Sequence, residues 1–257
     1  MAITVSELSI APVKGLRVMP VEAIEIAPSG PVGDRGYVVV DASTQALALT
    51  SRNRSLRRIA PSVDPESGEL ALEFPGGRRV AELPRLGEPA TTALYDGREV
   101  SGRLVEPGAL SEALSKHLRR PVLLMALDET QTRADDFPVT LMSRASLDAL
   151  AAAPALDGAT PDGRRFRMTI TVDGVDAWEE HGWGDRELEV GEATLRGVQP
   201  VGRCSVTTHH PENGERDLPV LKALADLRGK RDITFGIWCQ VVHPWRVTLG
   251  DSVSLRG

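Results

Sequence analysis

The chain has 257 residues, 41% of them hydrophobic and 26% charged, proportions that are ordinary for a folded protein of one or two domains. Its net charge of −6 argues against a nucleic-acid-binding protein, because such proteins present a basic surface. No run of residues approaches the roughly 20 apolar residues of a membrane span, and the first residues lack a signal-peptide pattern. We therefore expect a cytoplasmic protein that binds neither membranes nor nucleic acid.

Residues 1–105 consist mainly of short apolar runs separated by turns rich in glycine and proline, a pattern typical of a β-sandwich or small β-barrel. The first ten residues predict a strand in which the apolar positions are Ile3, Val5, Leu8 and Ile10, with one break in strict alternation. Further strands are predicted at 37–40, 46–50 and 70–74.

A helix is predicted at residues 108–118, where leucines recur at four-residue spacing, and a buried strand follows at 122–127. The polar segment 130–136 predicts a linker. We place a domain boundary there, which divides the chain into domains 1–130 and 131–257.

The second half predicts a mixture of strands and short helices. A helix is expected at 143–153 with Ser143 as its N-cap, and a second one at 219–227. Strands are expected at 168–172, 187–190, 193–198, 237–242 and 245–255, the last bent at Gly250. The predicted fold class is mainly β with a few helices (α+β).

Cys204 is one of two cysteines in the chain and lies beside Arg203 in a segment of hydroxyls and imidazoles. An electropositive, hydrogen-bonding setting favours the thiolate, which is the form that ligates metals or attacks. The other interpretation is that Cys204 is a small buried apolar residue. Cys239 lies in an apolar strand pattern, and the two cysteines predict no disulfide framework.

Cationic residues at predicted strand ends are candidates for binding a phosphate. These residues are Lys14, Arg35 and Arg52, and the alternative for each is a solvated charge or an ion pair. Arg167 enters a strand between apolar residues, so it needs a partner. Ser143 and Ser146 lie at the start of a predicted helix. The N–H groups exposed there either bind an anion or are capped by Ser143 in the ordinary way.

Several segments, in this order and spacing, resemble MOSC proteins that carry an N-terminal β-barrel domain. These proteins are relatives of the amidoxime-reducing component and of the C-terminal part of molybdenum cofactor sulfurase. The matching segments are SELSIAPVKG, GDRGYVVVD, LTSRN, FPVTLMSRASL, RRFRMTITVDG, AWEEHGWG, GRCSVTTHHPENG, FGIW and LGDSV. The resemblance covers nearly the whole chain and implies an N-terminal β-barrel-like domain packed on a MOSC β-barrel domain.

The resemblance further implies a molybdenum cofactor (molybdopterin) whose metal is ligated by a single cysteine, here Cys204. It implies cofactor contacts from both halves of the chain. The implied contacts are Lys14, Gly15, Arg35, Ser143, Ser146, Arg167, Thr169, Gly202 and Cys204. We add the neighbouring cations Arg52 and Arg203 to this set. Thr169 stands where relatives often carry asparagine, and Gly202 where some carry a small hydroxyl residue.

The activity that follows is the two-electron reduction of N-hydroxylated or other N- or S-oxygenated small molecules. Two cysteines cannot hold an iron–sulfur cluster, so we expect electrons from a separate protein of the ferredoxin, flavodoxin or cytochrome type. One alternative is a sulfur-transfer or molybdenum-cofactor carrier protein that uses Cys204, and another is a non-catalytic binding module.

Two positions depart from the family pattern. His210 stands where relatives usually have an acidic residue, which suggests a pH-dependent charge beside the metal or, alternatively, a solvent-facing loop residue. Arg54 also stands where an acid is common. Both departures bear on substrate range more than on cofactor binding.

Overall fold

The computed structural model describes residues 2–48, 52–128 and 136–256, and these ranges form mainly strands with three α-helices. No helix among these residues has both the length and the apolar character needed to cross a membrane. The elements are β1 (Ile3–Ile10), β2 (Met19–Val21), β3 (Ala23–Ala27), β4 (Gly30–Pro31), β5 (Tyr37–Asp41), β6 (Ala60–Val63), β7 (Leu70–Glu73), β8 (Arg79–Glu82), β9 (Leu86–Ala93), β10 (Glu99–Val105), α1 (Ala109–Leu118), β11 (Val122–Leu127), β12 (Val139–Ser143), α2 (Arg144–Ala151), β13 (Ile170–Asp173), β14 (Glu187–Val190), β15 (Ala193–Gly202), α3 (Val220–Arg228), β16 (Thr234–His243), β17 (Arg246–Thr248) and β18 (Ser252–Leu255). The predicted fold class is confirmed.

Seven strands close into a barrel in the order β1, β13, β12, β16, β15, β14 and β18. Neighbouring strands are antiparallel except β12 and β13, which are parallel. The interior is filled by aliphatic side chains such as Leu8, Ile170 and Leu195, each at most 1% exposed. The first strand of the chain therefore completes a barrel whose other strands all come from the second half.

A β-bulge explains the break in apolar alternation seen in the first strand. The pairing of β1 with β13 shifts register between Val5 and Glu7. An extra residue at that point lets Val5 and Leu8, three positions apart, both face the core, where they are 2% and 1% exposed.

The N-terminal half contains a four-stranded sheet, ordered β5, β11, β10 and β9, and a three-stranded sheet, ordered β6, β7 and β8. The helix α1 buries Leu110 and Leu114 against Leu56 and Leu72, all of them 0% exposed. The four-residue leucine spacing predicted this helix correctly, because those positions lie on one face.

Some predicted segments differ in detail from the structure, and one lies largely outside the described residues. The range 46–50 contributes a single bridge, between Leu47 and Val40, and residues 49–50 lie outside the described residues. The strand predicted at 168–172 begins at Ile170, because Arg167 ends the preceding turn in a left-handed conformation, with φ 57°. Of the proposed linker only Asp136 is described, so the division of the chain at residue 130 stays a prediction.

Gly197 lies in β15, the strand that leads to Cys204, at a point where main chain approaches closely. A Cβ atom there would be 2.1 Å from the carbonyl oxygen of Trp183. We expect Gly197→Ala to lower the free energy of unfolding by about 1–3 kcal/mol, because the backbone must move to relieve the overlap. Denaturant unfolding of the purified variant measures this loss.

Gly202→Ala is the matched control, since it lies in the same strand and a Cβ atom added there would have no atom of the described residues within 4 Å. It should unfold at nearly the wild-type denaturant concentration. Equal stabilities for the two variants would contradict the close approach at Gly197.

Candidate functional site

Cys204 lies two residues after the end of β15 and is the N-cap residue of the 3₁₀ turn Ser205–Thr208, with extended backbone. It is exposed, which excludes the interpretation that it is a small buried apolar residue. Cys239, in β16, is 0% exposed, and burial raises the pKa of its thiol to about 12. Of the two cysteines, only Cys204 is therefore placed to react or to ligate.

A turn from the N-terminal half docks on the segment that follows Cys204. Within the 3₁₀ turn Arg54–Arg58, the Nη1 atom of Arg57 donates a hydrogen bond to the carbonyl oxygen of Val206 at 3.0 Å. Gly214 has φ +71°, and a Cβ on it would lie 2.6 Å from the carbonyl oxygen of Arg54. The main chains of the two halves are therefore in direct contact here. Residue 214 must be glycine, because a side chain would overlap with the main chain of Arg54.

A small cavity lies beside this contact and is lined by both halves of the chain. Arg57 comes from the N-terminal half, and Arg167, Val206 and His209 come from the second half. Two more arginines, Arg164 and Arg165, complete a strongly cationic wall.

Acidic residues pair with Arg164 and Arg165. Arg165 makes a bidentate ion pair with Asp217, with nitrogen–oxygen distances of 2.7 and 2.6 Å. Arg164 pairs with Asp162 at 2.6 Å and with Glu212 at 3.1 Å. Much of the charge in the wall is therefore balanced within the protein.

Arg57 is in a different position, because it is 3% exposed and no ion pair to it is found in the described ranges. Burial lowers the pKa of its guanidinium, and attraction to Cys204 partly opposes this shift. Val206, whose carbonyl oxygen Arg57 binds, lies two residues after Cys204, so Arg57 and Cys204 belong to the same region of the structure. The guanidinium stays charged at neutral pH, since arginine does not lose its proton in proteins.

Three of the predicted cofactor contacts come together at the end of the barrel. The Nη1 atom of Arg167 donates to the carbonyl oxygen of Leu16 at 2.7 Å, next to Gly15 and Lys14. The Nη2 atom of Arg35 donates to the carbonyl oxygen of Arg167 at 3.2 Å, and Arg35 also pairs with Asp34. The structure thus brings the residue 14–15 turn, Arg35 and Arg167 into one network.

Thr169 adjoins this network but has its own partner. It is 2% exposed, its amide donates to Oγ1 of Thr140 at 2.9 Å, and the two hydroxyls lie 3.2 Å apart. Thr169 and Arg35 share the lining of a second small pocket, together with Phe137 and Trp238.

Ser143 and Ser146 are fully buried and engaged within the second half. The Oγ atom of Ser143 accepts from the amide of Ser146 at 3.0 Å, so the alternative of ordinary helix capping is confirmed. Both hydroxyls also donate to Oε2 of the buried Glu180, at 3.0 and 2.9 Å. Their role as cofactor contacts stays a prediction.

The remaining predicted contacts take different positions. Arg203 donates to the carbonyl oxygens of Phe166, at 2.9 Å, and Phe235, at 3.0 Å, and so ties the end of β15 to its neighbours. Gly202 is exposed. Arg52 is exposed and lines a separate surface groove formed with residues 44–47 and 91–94, and its role as a cofactor contact stays a prediction.

Of the two adjacent histidines, His209 lines the cavity, whereas His210 lies in the turn beyond it, where its Nδ1 accepts from the amide of Glu212 at 3.2 Å. Nδ1 of His209 lies 2.8 Å from the carbonyl oxygen of Ser205, so Nδ1 must carry the proton and Nε2 must be the acceptor. Burial, and then the charge of Arg57, lower the pKa of His209, so its ring is neutral at neutral pH. The pH effect proposed for His210 stays a prediction.

Sequence reasoning missed Arg57. Arg57 stands between the apolar residues Leu56 and Ile59, as Arg167 stands between Phe166 and Met168, but the exposed Arg58 stands in the same interval, so the local pattern does not single out Arg57. A cation in an apolar context needs a partner in either place.

Residues 128–254 match the family model described as MOSC domain, and residues 2–118 match the MOSC N-terminal beta barrel domain. The human mitochondrial amidoxime-reducing component 1 is 26% identical over 99% of this chain and 83% of its own length. The molybdenum cofactor sulfurase of Caenorhabditis briggsae is 26% identical over 91% of this chain but only 33% of its own length. The crystal structure of the YuaD protein from Bacillus subtilis shares the fold, with a TM-score of 0.50, 12% identity, and coverage of 99% of this chain and 96% of that one.

The difference in exposure between the two cysteines predicts their reactivity. In the native, metal-free protein, a thiol reagent such as Ellman's reagent should label one thiol rapidly, because Cys204 is exposed and Cys239 is buried. Cys204→Ser should remove the fast phase, and Cys239→Ser should leave it unchanged. Fast labelling of two thiols in the folded wild type would contradict the burial of Cys239.

A second prediction concerns His181, whose ring contacts Trp178 edge to face at a centroid distance of 5.6 Å. Burial, and then the charge of Arg228, lower the pKa of His181 from 6.5 to about 4. Between pH 6.5 and about 4, the imidazole of His181 is therefore protonated in the unfolded chain but neutral in the folded protein. This group destabilises the folded protein as pH falls from about 6.5 to about 4.

We expect the free energy of unfolding at pH 5 to be lower than at pH 7. His181→Gln should reduce that difference by about 1 kcal/mol, a figure already discounted for the partial exposure of the ring. Urea unfolding at the two pH values measures it. An unchanged pH dependence in the variant would show that His181 titrates normally in the folded protein.

Proposed function

Because the chain belongs to the MOSC family and carries that family's N-terminal β-barrel domain, we propose that it binds a molybdenum cofactor and reduces N-oxygenated small molecules with it. N-hydroxylated compounds are the first substrate class, and other N- or S-oxygenated compounds are the second. The observation that carries the proposal is the exposed thiol of Cys204, two residues before Val206, which the buried Arg57 binds at a cationic cavity lined by both halves.

The residues present fit such a cofactor. A soft thiolate suits a molybdenum centre, and Cys204 offers a thiol that its surroundings leave accessible. The cofactor carries a phosphate, and the network of Lys14, Arg35 and Arg167 provides cations at the same end of the barrel. Arg57 also keeps two buried N–H groups, on Nε and Nη2, that have no partner in the described parts of the chain.

In the proposed enzyme, Sγ of Cys204 ligates the metal, and Lys14, Gly15, Arg35 and Arg167 hold the anionic body of the cofactor. When bound, the cofactor supplies the two-electron redox chemistry. Arg203 fixes the strand end that carries Cys204 through its bonds to two carbonyl oxygens. His209, with its proton on Nδ1, offers Nε2 as a proton acceptor in the cavity.

Electrons would come from a separate donor protein of the ferredoxin, flavodoxin or cytochrome type, since two cysteines are too few to ligate an iron–sulfur cluster. The mitochondrial amidoxime-reducing component among the relatives supports the substrate class by its name. The cytoplasmic location stays a prediction.

The alternative function is sulfur transfer or carriage of the cofactor, with Cys204 bearing a persulfide or handing the cofactor on. The similarity to molybdenum cofactor sulfurase favours it, although this chain spans only a third of that relative. The two functions are separated by preparing the protein in a host that makes the cofactor. Stoichiometric molybdenum with turnover of an aryl amidoxime supports the reductase, whereas a Cys204 persulfide without turnover supports sulfur transfer.

Cys204→Ser should reduce bound molybdenum and amidoxime reduction by more than tenfold, because a hydroxyl replaces thiolate poorly on this metal. Molybdenum is measured by mass spectrometry, and activity with a reduced dye as artificial donor. Cys239→Ser is the control and should keep metal and activity, since Cys239 is buried in the barrel. If both variants retained the metal equally, Cys204 would not be its ligand.

A further inference from the structure

Arg57 is a buried cation whose hydrogen-bonding capacity is mostly unused. It is 3% exposed, and Nη1 donates to the carbonyl oxygen of Val206 at 3.0 Å. Nε and Nη2 are buried without a hydrogen-bond partner in the parts of the chain that the structure describes. A charged group removed from water in this way is destabilising unless something pairs with it.

Two other arginines of the cavity have their positive charges balanced by acidic side chains. Arg165 and Arg164 each face carboxylates, from Asp217 in one case and from Asp162 and Glu212 in the other. No acidic side chain among the described residues does the same for Arg57, although it lies in the same wall. The partner of Arg57 is therefore to be sought in a ligand.

The free atoms of Arg57 define the kind of ligand. Nε and Nη2 lie on one edge of the guanidinium and form a planar fork that matches two oxygens of a carboxylate, phosphate or sulfate group. Lysine would offer only a point charge. The unused edge is therefore suited to an oxyanion more than to a neutral carbonyl or hydroxyl.

The position of Arg57 limits where that oxyanion lies. Nη1 of Arg57 binds the carbonyl oxygen of Val206, two residues after Cys204, and the side chain of Arg57 lines the cavity shared with Val206 and His209. The cavity has about 10 Å³ of space for the centre of a water molecule, on the order of one water. It admits one terminal oxygen of a ligand whose remainder lies outside the cavity.

We propose that Arg57 is the oxyanion-recognition residue of this site and binds an anionic oxygen group of the molecule that docks beside Cys204. This oxyanion belongs either to the phosphate of the cofactor or to an acidic substituent of the substrate. The proposal rests on the proposed function only for the identity of that molecule, because anion binding by Arg57 can be measured without any cofactor.

The first experiment uses the full-length, metal-free protein with inorganic phosphate and sulfate as probes. Isothermal titration at constant ionic strength should detect binding to the wild type. Arg57→Gln, which replaces the guanidinium with a shorter, neutral polar group, should weaken it at least tenfold, and Arg57→Lys should weaken it less. Arg58→Gln, in the same turn but exposed, is the matched control and should bind like the wild type.

Wild-type protein that binds neither anion, or Arg57→Gln protein that binds both as well as wild type does, would overturn the proposal. Thermal unfolding checks that each variant is folded. If Arg57→Gln fails to fold, the comparison between Arg57→Lys and Arg58→Gln decides, because Arg57→Lys keeps the charge and loses the fork.

The second experiment distinguishes the two sources of the oxyanion, using protein from a host that makes the cofactor. If Arg57 holds the cofactor's phosphate, Arg57→Gln should lose pterin at least tenfold relative to Arg58→Gln after extensive dialysis. If Arg57 instead holds the substrate, the Arg57→Gln protein should keep its pterin. Its preference in kcat/KM for a carboxylated amidoxime over the neutral analogue should then fall at least tenfold relative to Arg58→Gln.

Full pterin content combined with an unchanged substrate preference would also overturn the proposal. The absence of molybdenum and pterin from the wild type would instead count against the proposed function. In that case the titrations with phosphate and sulfate would still decide the role of Arg57.

Discussion

The pairing of β1 with β13 and β18 positions every other part of the site. The two strands β1 and β13 are antiparallel and place Leu8 opposite Ile170, and the amide of Ser9 donates to the carbonyl oxygen of Thr169 at 2.9 Å. The segment that follows β1 therefore lies beside the residues that precede β13. This register brings the turn of Lys14 and Gly15 beside Arg167, although they are far apart in sequence.

The same end of the barrel carries Cys204, for a related reason. The last residue of β15, Gly202, lies opposite the first residue of β16, Thr234, so the chain leaves the sheet there. Arg203 then binds the carbonyl oxygen of Phe166, one residue before Arg167. Strand register and a single arginine thus bring the thiol and the cationic network to one face.

Much of the architecture could be predicted from the sequence, because local patterns determine it. The leucine spacing of α1, the N-cap Ser143 and the bend at Gly250 are each decided by residues within one turn of chain. The apolar strand pattern around Cys239 fits its burial, whereas the neighbours of Cys204 left burial and exposure open, and only the structure shows that this thiol is exposed. Even the bulge in β1 was visible as a break in alternation.

The rest of the site depends on contacts that no local pattern encodes. Arg57 is buried because its turn docks on Val206, 149 positions away, whereas Arg52 in the preceding segment stays exposed. Glu180 accepts hydrogen bonds from the hydroxyls of Ser143 and Ser146, which lie 37 and 34 positions away in the sequence. Residue type alone suggested an anion site for these serines, but the partner that they contact is the buried carboxyl group of Glu180.

The position of Arg57 also links ligand binding to the contact between the two halves. Arg57 reaches Val206 through Nη1, whereas Nε and Nη2 belong to the opposite edge of its planar group. An oxyanion on that edge would offset the desolvation of the charge without breaking the bond to Val206. A ligand that binds only the folded protein also stabilises it. Occupation of this cavity would therefore strengthen the docking of the Arg54–Arg58 turn on the segment after Cys204, and the two halves would be held most firmly when the site is filled.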